Sequence, residues 1–178
     1  MVGFAVVVVN DNEILWQKVF HSKLKGVERL NDIITYIDDV FTNLSGKEVK
    51  YDAVIFEGYS FGSRGQATFS IAELGGVLRM FFFQKGITPM IVPPTVLKKF
   101  VTGKGVAPKE IMIKEVFRKW KFDTNDNNLA DAYSLMKFGE AALLISQGKT
   151  ENYTKAEIEV VTAWKNSKMV AKIENEAN

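Results

Sequence analysis

Apolar positions change their spacing along the chain, and each change marks an element. Residues 2–9 form a continuous apolar run rich in β-branched side chains, which predicts a buried strand. Asn10, Asp11 and Asn12 make a turn, and residues 13–20 predict the returning strand of a hairpin. Over 24–44 the residues Val27, Leu30, Ile33, Ile34, Ile37, Val40, Phe41 and Leu44 recur at helical spacing, until Ser45 and Gly46 stop the pattern. A short apolar strand over 51–56 runs up to Glu57, and a glycine-punctuated loop covers 59–65. A long, very apolar helix follows over 67–85, closed by Gly86. Residues 87–92 predict another strand, ended by Pro93 and Pro94, with short helical pieces from Thr95 and a loop over 103–107. Pro108 opens a helix that reaches about Lys121, and 127–146 forms a further helix ended by Gly148. A last helix around 155–164 docks through Ile158, Val161 and Trp164.

Hairpin, helix, strand, helix, strand and helices make a mixed α/β fold, with one sheet covered by helices on both faces. At 178 residues the chain fits one domain with a core of its own. The expected division is a main domain over 1–147 and a more polar helical tail over 148–178, whose last ten residues fray. No apolar run approaches the roughly 18 residues of a membrane span. The opening residues also lack the basic segment and cleavage site of a signal peptide, so the expected location is the cytoplasm, with no membrane partner.

Composition narrows the chemistry. A hydrophobic fraction of 47% and a charged fraction of 25% are those of an ordinary globular protein. There is no cysteine, which excludes disulfides, thiolate zinc sites and cysteine nucleophiles. The single histidine, His21, sits in the predicted hairpin strand, where a structural role is the expectation. Chemistry therefore falls to carboxylates, amides, lysines and arginines.

Charge is uneven. Between Lys98 and Lys121 eight basic residues (Lys98, Lys99, Lys104, Lys109, Lys114, Arg118, Lys119 and Lys121) face only Glu110 and Glu115, a surplus of six. Because the whole chain is +2, the remainder is −4. Gly103 and Gly105 lie in the same stretch, where backbone can approach a ligand closely. A polyanion-binding surface and a solvated helix face both fit this count.

Two carboxylates stand out. Glu57 follows a buried strand, and strand ends in α/β sheets are where ligands bind. Asp131 lies in NNLADAYSLM, among Leu129, Ala130, Ala132, Leu135 and Met136, so it is expected to be buried and to need a cation. Asn127 and Asn128 share its helix face, while Asp126 either bends back to the same site or caps the helix. Carboxylates converging from separate elements hold Mg²⁺ or Mn²⁺ in phosphodiester cleavage. Lys109, beside Gly105 and Pro108 at a helix start, is placed to meet a phosphate. The loop matches neither the phosphate-binding GxxxxGK pattern nor GxGxxG, which argues against nucleotide binding. Phe61 and Arg64, just after Glu57, form an aromatic and basic pair suited to stacking on splayed bases, or fold onto the core.

Over roughly 2–145 these pieces resemble the RuvC-type Holliday-junction resolvases of the RNase H-like superfamily, especially phage-type members. The matching stretches are VGFAVV, VIFEGYSFGSRGQATFSIAELGGVLR, ITPMIVPPTVLKKFVTGKGVAPKE and NLADAYSLM, in that order and spacing. The resemblance implies an RNase H-like mixed sheet and a homodimer that binds four-way DNA junctions and nicks two strands with Mg²⁺, or Mn²⁺. It puts Glu57 on the family's second acidic position and Asp131 on its last. Lys109 falls on a lysine near the active site, and Phe61 falls near a junction-stacking aromatic. Lys98, Lys99, Lys104 and Arg64 join the DNA-binding surface, and the 67–85 helix supplies dimer contacts, since Met80-Phe81-Phe82-Phe83 exceeds what one face buries.

Two departures change what the resemblance implies. Asn128 stands where the family has aspartate or histidine, leaving Asn128 or Asp126 to complete the site. The family also begins one strand earlier, on a strand that ends in the first catalytic aspartate; the chain here begins at the second strand, and Asp11 lies at the wrong end of the hairpin to replace it. The expectations that follow are a start codon assigned too late, a shortened chain, or a protein in which another segment fills the gap and junctions are bound without cutting. A nuclease of the same superfamily acting on RNA–DNA hybrids or flaps is the third functional class.

Overall fold

The computed structural model describes residues 4–10, 13–44, 53–58 and 66–167. Strands β1 (Phe4–Asn10) and β2 (Glu13–Phe20) form the expected antiparallel hairpin, from Phe4 opposite Phe20 to Asn10 opposite Glu13, with a one-residue register shift between Val8 and Val9. His21 falls just past β2 and is exposed, not within the strand. Helix α1 (Gly26–Leu44) follows, then strand β3 (Ile55–Glu57) and helix α2 (Gln66–Gln84). Strand β4 (Met90–Val92) leads into α3 (Pro94–Thr102), α4 (Lys109–Trp120), α5 (Asn127–Ser146) and α6 (Lys155–Lys165). Gly86, Gly103 and Gly148 stand at positive φ after α2, α3 and α5, where a side chain would strain the turn.

The single mixed sheet expected from the sequence is seen as two pairs among the described residues: antiparallel β1–β2 and parallel β3–β4. Both β3 and β4 are only three residues long, shorter than their apolar runs, so little backbone is available to extend a ladder. Helix α5 links the pairs, since it lies against β1, β2 and β3.

Helices do cover both faces of the β3–β4 pair, and strand alternation explains how. Ile55, Met90 and Val92 turn to a core built from Leu97, Phe100, Val116, Phe138 and Val161, among others, on α3 to α6. Val54, Phe56 and Ile87 turn to the opposite core, made by Ile33 and Ile37 of α1 with Leu74, Leu78 and Phe82 of α2. Of the run 80–83, Phe82 is buried and Phe81 half-buried, while Met80 and Phe83 point to solvent. Among the described residues no helix is long and apolar enough to cross a membrane.

Helix α6 is a wall of the larger core. Val160, Val161 and Trp164 are buried, and Ile158 is half-buried. The Trp164 indole N–H donates to the Ile91 carbonyl at 3.0 Å, tying α6 to β4. Thr154 and Glu157 form a capping box at the start of α6. Lys119 donates to Glu157 at 2.7 Å and to the Phe100 carbonyl at 3.0 Å, so one lysine of the basic stretch joins α3, α4 and α6. Burial alone would raise the Glu157 carboxyl, but hydrogen bonds from Lys119 and Thr154 outweigh it and hold the group below its ordinary range. The side chains of Lys119 and Glu157 are only 20% and 12% exposed, which puts the pair well above a surface ion pair in importance. Lys119→Met therefore lowers unfolding stability by about 2 kcal/mol in urea at neutral pH, because it strands the Glu157 charge. Since the folded-state pKa of Glu157 is depressed, this contribution is present above its ordinary pKa and fades as pH falls below it. A loss that stayed constant down to acid pH would show that the pair does not stabilise the fold in this way.

Candidate active site

Glu57 is the last residue of β3. The next residue, Gly58, donates its N–H to the Val92 carbonyl at 2.8 Å, which fixes the strand end against β4. A Cβ on Gly58 would stand 3.3 Å from the Ile91 Cγ2 atom, so glycine allows that approach. Asp131 comes from the first turns of α5 and is half-buried beside the fully buried Ala130.

Asp126 caps α5: its Oδ1 accepts from the N–H groups of Asn128 at 2.7 Å and Leu129 at 3.1 Å. Of the two roles open to it in the sequence, the cap is therefore made, and it uses this oxygen. The Asp126 N–H in turn donates to Thr124 Oγ1 at 3.1 Å. This lattice of short contacts fixes where α5 begins, and with it the direction in which Asn128 and Asp131 leave the helix. Asn128 itself is exposed at the start of α5.

The charge of Asp131 acts on the Glu57 carboxyl. Glu57 is pushed up to about 7 from 4.5, first by burial and then by the negative charge of Asp131, with Lys98 pulling the other way. The residue keeps one side open to water, so the protein packed against its other side produces this desolvation. Asp131 is also raised, by burial, against the opposing pull of Lys98 and Lys109. Charges from four elements thus act on this pair or within it: Glu57 from β3, Lys98 from α3, Lys109 from the start of α4, and Asp131 from α5.

Lys98 is the residue whose role the sequence understated. It reads there as one of several DNA-binding lysines, whereas it is half-buried and acts on both carboxylates. Its position one turn past the end of β4 was the available signal, since β4 lies beside the strand that carries Glu57. Lys99 and Lys104 are exposed, on the last turn of α3 and in the turn after it. Thr102 shapes that turn: its hydroxyl donates to the Lys98 carbonyl at 2.9 Å and accepts the Lys104 N–H at 3.2 Å. Phe61 and Arg64 lie outside the described residues.

Among the described residues no three of histidine, aspartate and glutamate come together as a metal-binding group. The pair that does meet still suits a hard cation. Mg²⁺ takes one or two carboxylates and keeps several waters, so Glu57 and Asp131 satisfy what the protein has to provide. Their raised pKa values describe an anionic pair short of positive charge, which a divalent cation relieves. An oxygen-only donor pair favours Mg²⁺ or Mn²⁺ over zinc.

No protein-family model matches the chain, and no curated protein does. Solved structures do. The chain is similar to Thermus thermophilus RuvC at 20% identity and a TM-score of 0.59, over 83% of this chain and 89% of that one. It is also similar to T. thermophilus RuvC in complex with a Holliday junction substrate, at 21% identity and a TM-score of 0.62, with the same coverage of both chains. The two share a fold with the protein described here.

Proposed function

We propose that this chain is a structure-selective endonuclease that resolves four-way and other branched DNA junctions by metal-dependent phosphodiester hydrolysis. The observation that carries the reading is the meeting of Glu57 and Asp131, from separate elements, on a fold shared with a RuvC solved on a Holliday junction. In this reading Glu57 and Asp131 are the ligands of Mg²⁺ or Mn²⁺, and Asn128, three residues before Asp131 on the same helix face, is the candidate third ligand through its amide oxygen. The bound cation supplies charge that stabilises the attacking and leaving oxygens of the scissile phosphate.

The chain's own groups do the rest. Lys98 and Lys109 hold the scissile phosphate between the two carboxylates, and they lower the repulsion that phosphate and carboxylates would otherwise share. Asp126 serves as a positioning residue through its cap on α5. Lys99, Lys104, Arg64 and Phe61 extend the DNA-binding surface around the site, the last through base stacking.

The protein acts in the cytoplasm as a homodimer through α2, whose outer face exposes Phe69, Met80 and Phe83. Sedimentation at micromolar protein then gives a two-chain species, and a single-chain species would remove the dimer from the reading.

The decisive experiment compares a synthetic four-way junction with a linear duplex of the same sequence, with Mg²⁺ and with chelator. Paired, symmetric nicks in the junction alone, only with Mg²⁺, are expected. Tight junction binding without nicks would support the second reading, a junction-binding protein that does not cut, which the absence of a third clustered acid among the described residues favours. Equal cutting of hybrids or flaps would shift the substrate instead.

A further inference from the structure

We infer that Gly139 is a positioning residue: the bare backbone of α5 at this point rests on Ile55, and that contact sets the distance from Asp131 to Glu57. The inference deepens the nuclease reading above and rests on it for the meaning of the two carboxylates.

Glycine inside a helix is unfavourable by about 1 kcal/mol relative to alanine, so a buried interior glycine needs a packing reason. Gly139 is buried in the middle of α5. A Cβ there would stand 2.4 Å from Ile55 Cδ1 and 2.6 Å from Ile55 Cγ1, closer than any such pair can sit. The helix backbone is therefore in direct contact with the strand side chain, with no space for a methyl group while Ile55 keeps its present position.

Geometry carries this contact to the site. Ile55 and Glu57 are two residues apart on β3 and share a face, about 7 Å from one another along the strand. Asp131 lies eight residues before Gly139, which is about 12 Å along the helix axis. The Gly139–Ile55 contact thus ties α5 to the strand that carries Glu57, on the helix that carries Asp131. Rotation of α5 about that point is blocked on its other side. Phe138, the neighbour of Gly139, is fully buried with its ring 5.1 Å from both the Phe100 and Trp164 rings. A larger side chain at 139 has to displace Ile55 or lift the helix. The flexible end of Ile55 can turn away from one added methyl but not from a branched side chain.

The test is a size swap on the full chain: Gly139→Ala, Gly139→Val, Ile55→Ala and the double variant Gly139→Val/Ile55→Ala, which returns the same number of side-chain carbons to the contact. Mn²⁺ affinity, read by electron paramagnetic resonance on the folded fraction, is expected to change little in Gly139→Ala. It falls by at least about tenfold in Gly139→Val, the scale seen when an outer partner of a metal ligand is lost. In the double variant it returns to within about threefold of the starting protein, a coupling that independent sites do not show. If Gly139→Val folds and binds Mn²⁺ as the starting protein does, the inference is overturned. If Gly139→Val does not fold, the double variant decides, since failed recovery there also overturns it. Should the starting protein itself bind no Mn²⁺ and cut no junction, the nuclease reading fails separately. Crystal structures of the starting protein and of Gly139→Val, or of Ile55→Ala where Gly139→Val does not fold, then settle the positioning claim, which an unchanged Asp131–Glu57 separation in that variant would overturn.

Discussion

Glu57→Gln removes Mg²⁺-dependent junction cleavage by at least about 100-fold, more than an outer-shell partner of a metal ligand is worth, and leaves junction binding within a few-fold of the starting protein. Glutamine keeps the shape and the polar atoms but takes away the charge a hard cation needs. The same substitution makes the metal-free protein more stable, and the sign follows from the carboxyl. The folded protein holds Glu57 at about 7, above its ordinary 4.5, so the folded state binds the proton more tightly than the unfolded chain does. The wild-type chain loses stability as pH rises from about 4.5 towards 7, and the loss stays constant above that. Glu57→Gln escapes this penalty, so its advantage in chelator is absent in acid and complete above neutrality. Loss of function joined to gain of stability is what a group kept for chemistry produces. Asp131→Asn moves both quantities in the same directions, since burial raises that carboxyl too. Cleavage by Glu57→Gln at the normal rate would sink the site assignment.

Local signals were legible in the sequence and non-local pairings were not. Helix α5 spans 127–146 as expected, because its polar start, its apolar run and Gly148 are all local signals. Asp126 looked equally like a ligand and a cap, and only the two N–H groups bonded to it identify the cap. Among the described residues, 53–54 and 87–89 belong to the predicted strands but fall outside β3 and β4, because an apolar run reports burial and not backbone pairing. The basic stretch shows the same limit. Arg118 pairs with Glu115 three residues away, which spacing predicts, whereas Lys119 pairs with Glu157 across 38 residues, which no local pattern contains. The surplus of six is thereby divided: part of it holds the fold together, and Lys98 and Lys109 face the carboxylates. Gly139 was invisible for a related reason, since an interior glycine signals a close approach without naming the residue approached.

The cleavage rate under subsaturating Mg²⁺ rises about tenfold per pH unit in acid and bends to a plateau near neutrality. Proton and cation compete for the same Glu57 oxygens, and the cation binds only the ionised form. With one such proton held at about 7, each unit of pH below that value removes about nine-tenths of the competent carboxylates. Lys98 controls where the bend falls, because it opposes the burial and the Asp131 charge that raise Glu57. Lys98→Met therefore moves the bend to higher pH, beyond any loss of rate from a weaker hold on the phosphate. Lys99→Met is the matched control: Lys99 is exposed on the same helix and is not among the charges that shift either carboxyl, so it weakens DNA binding in a salt-dependent way and leaves the bend in place. The profile is read from initial rates on a junction at constant ionic strength, with protein stability checked at each pH. A rate independent of pH between 5.5 and 7 would show that Glu57 is already ionised there, and would remove it as the group whose proton the cation displaces.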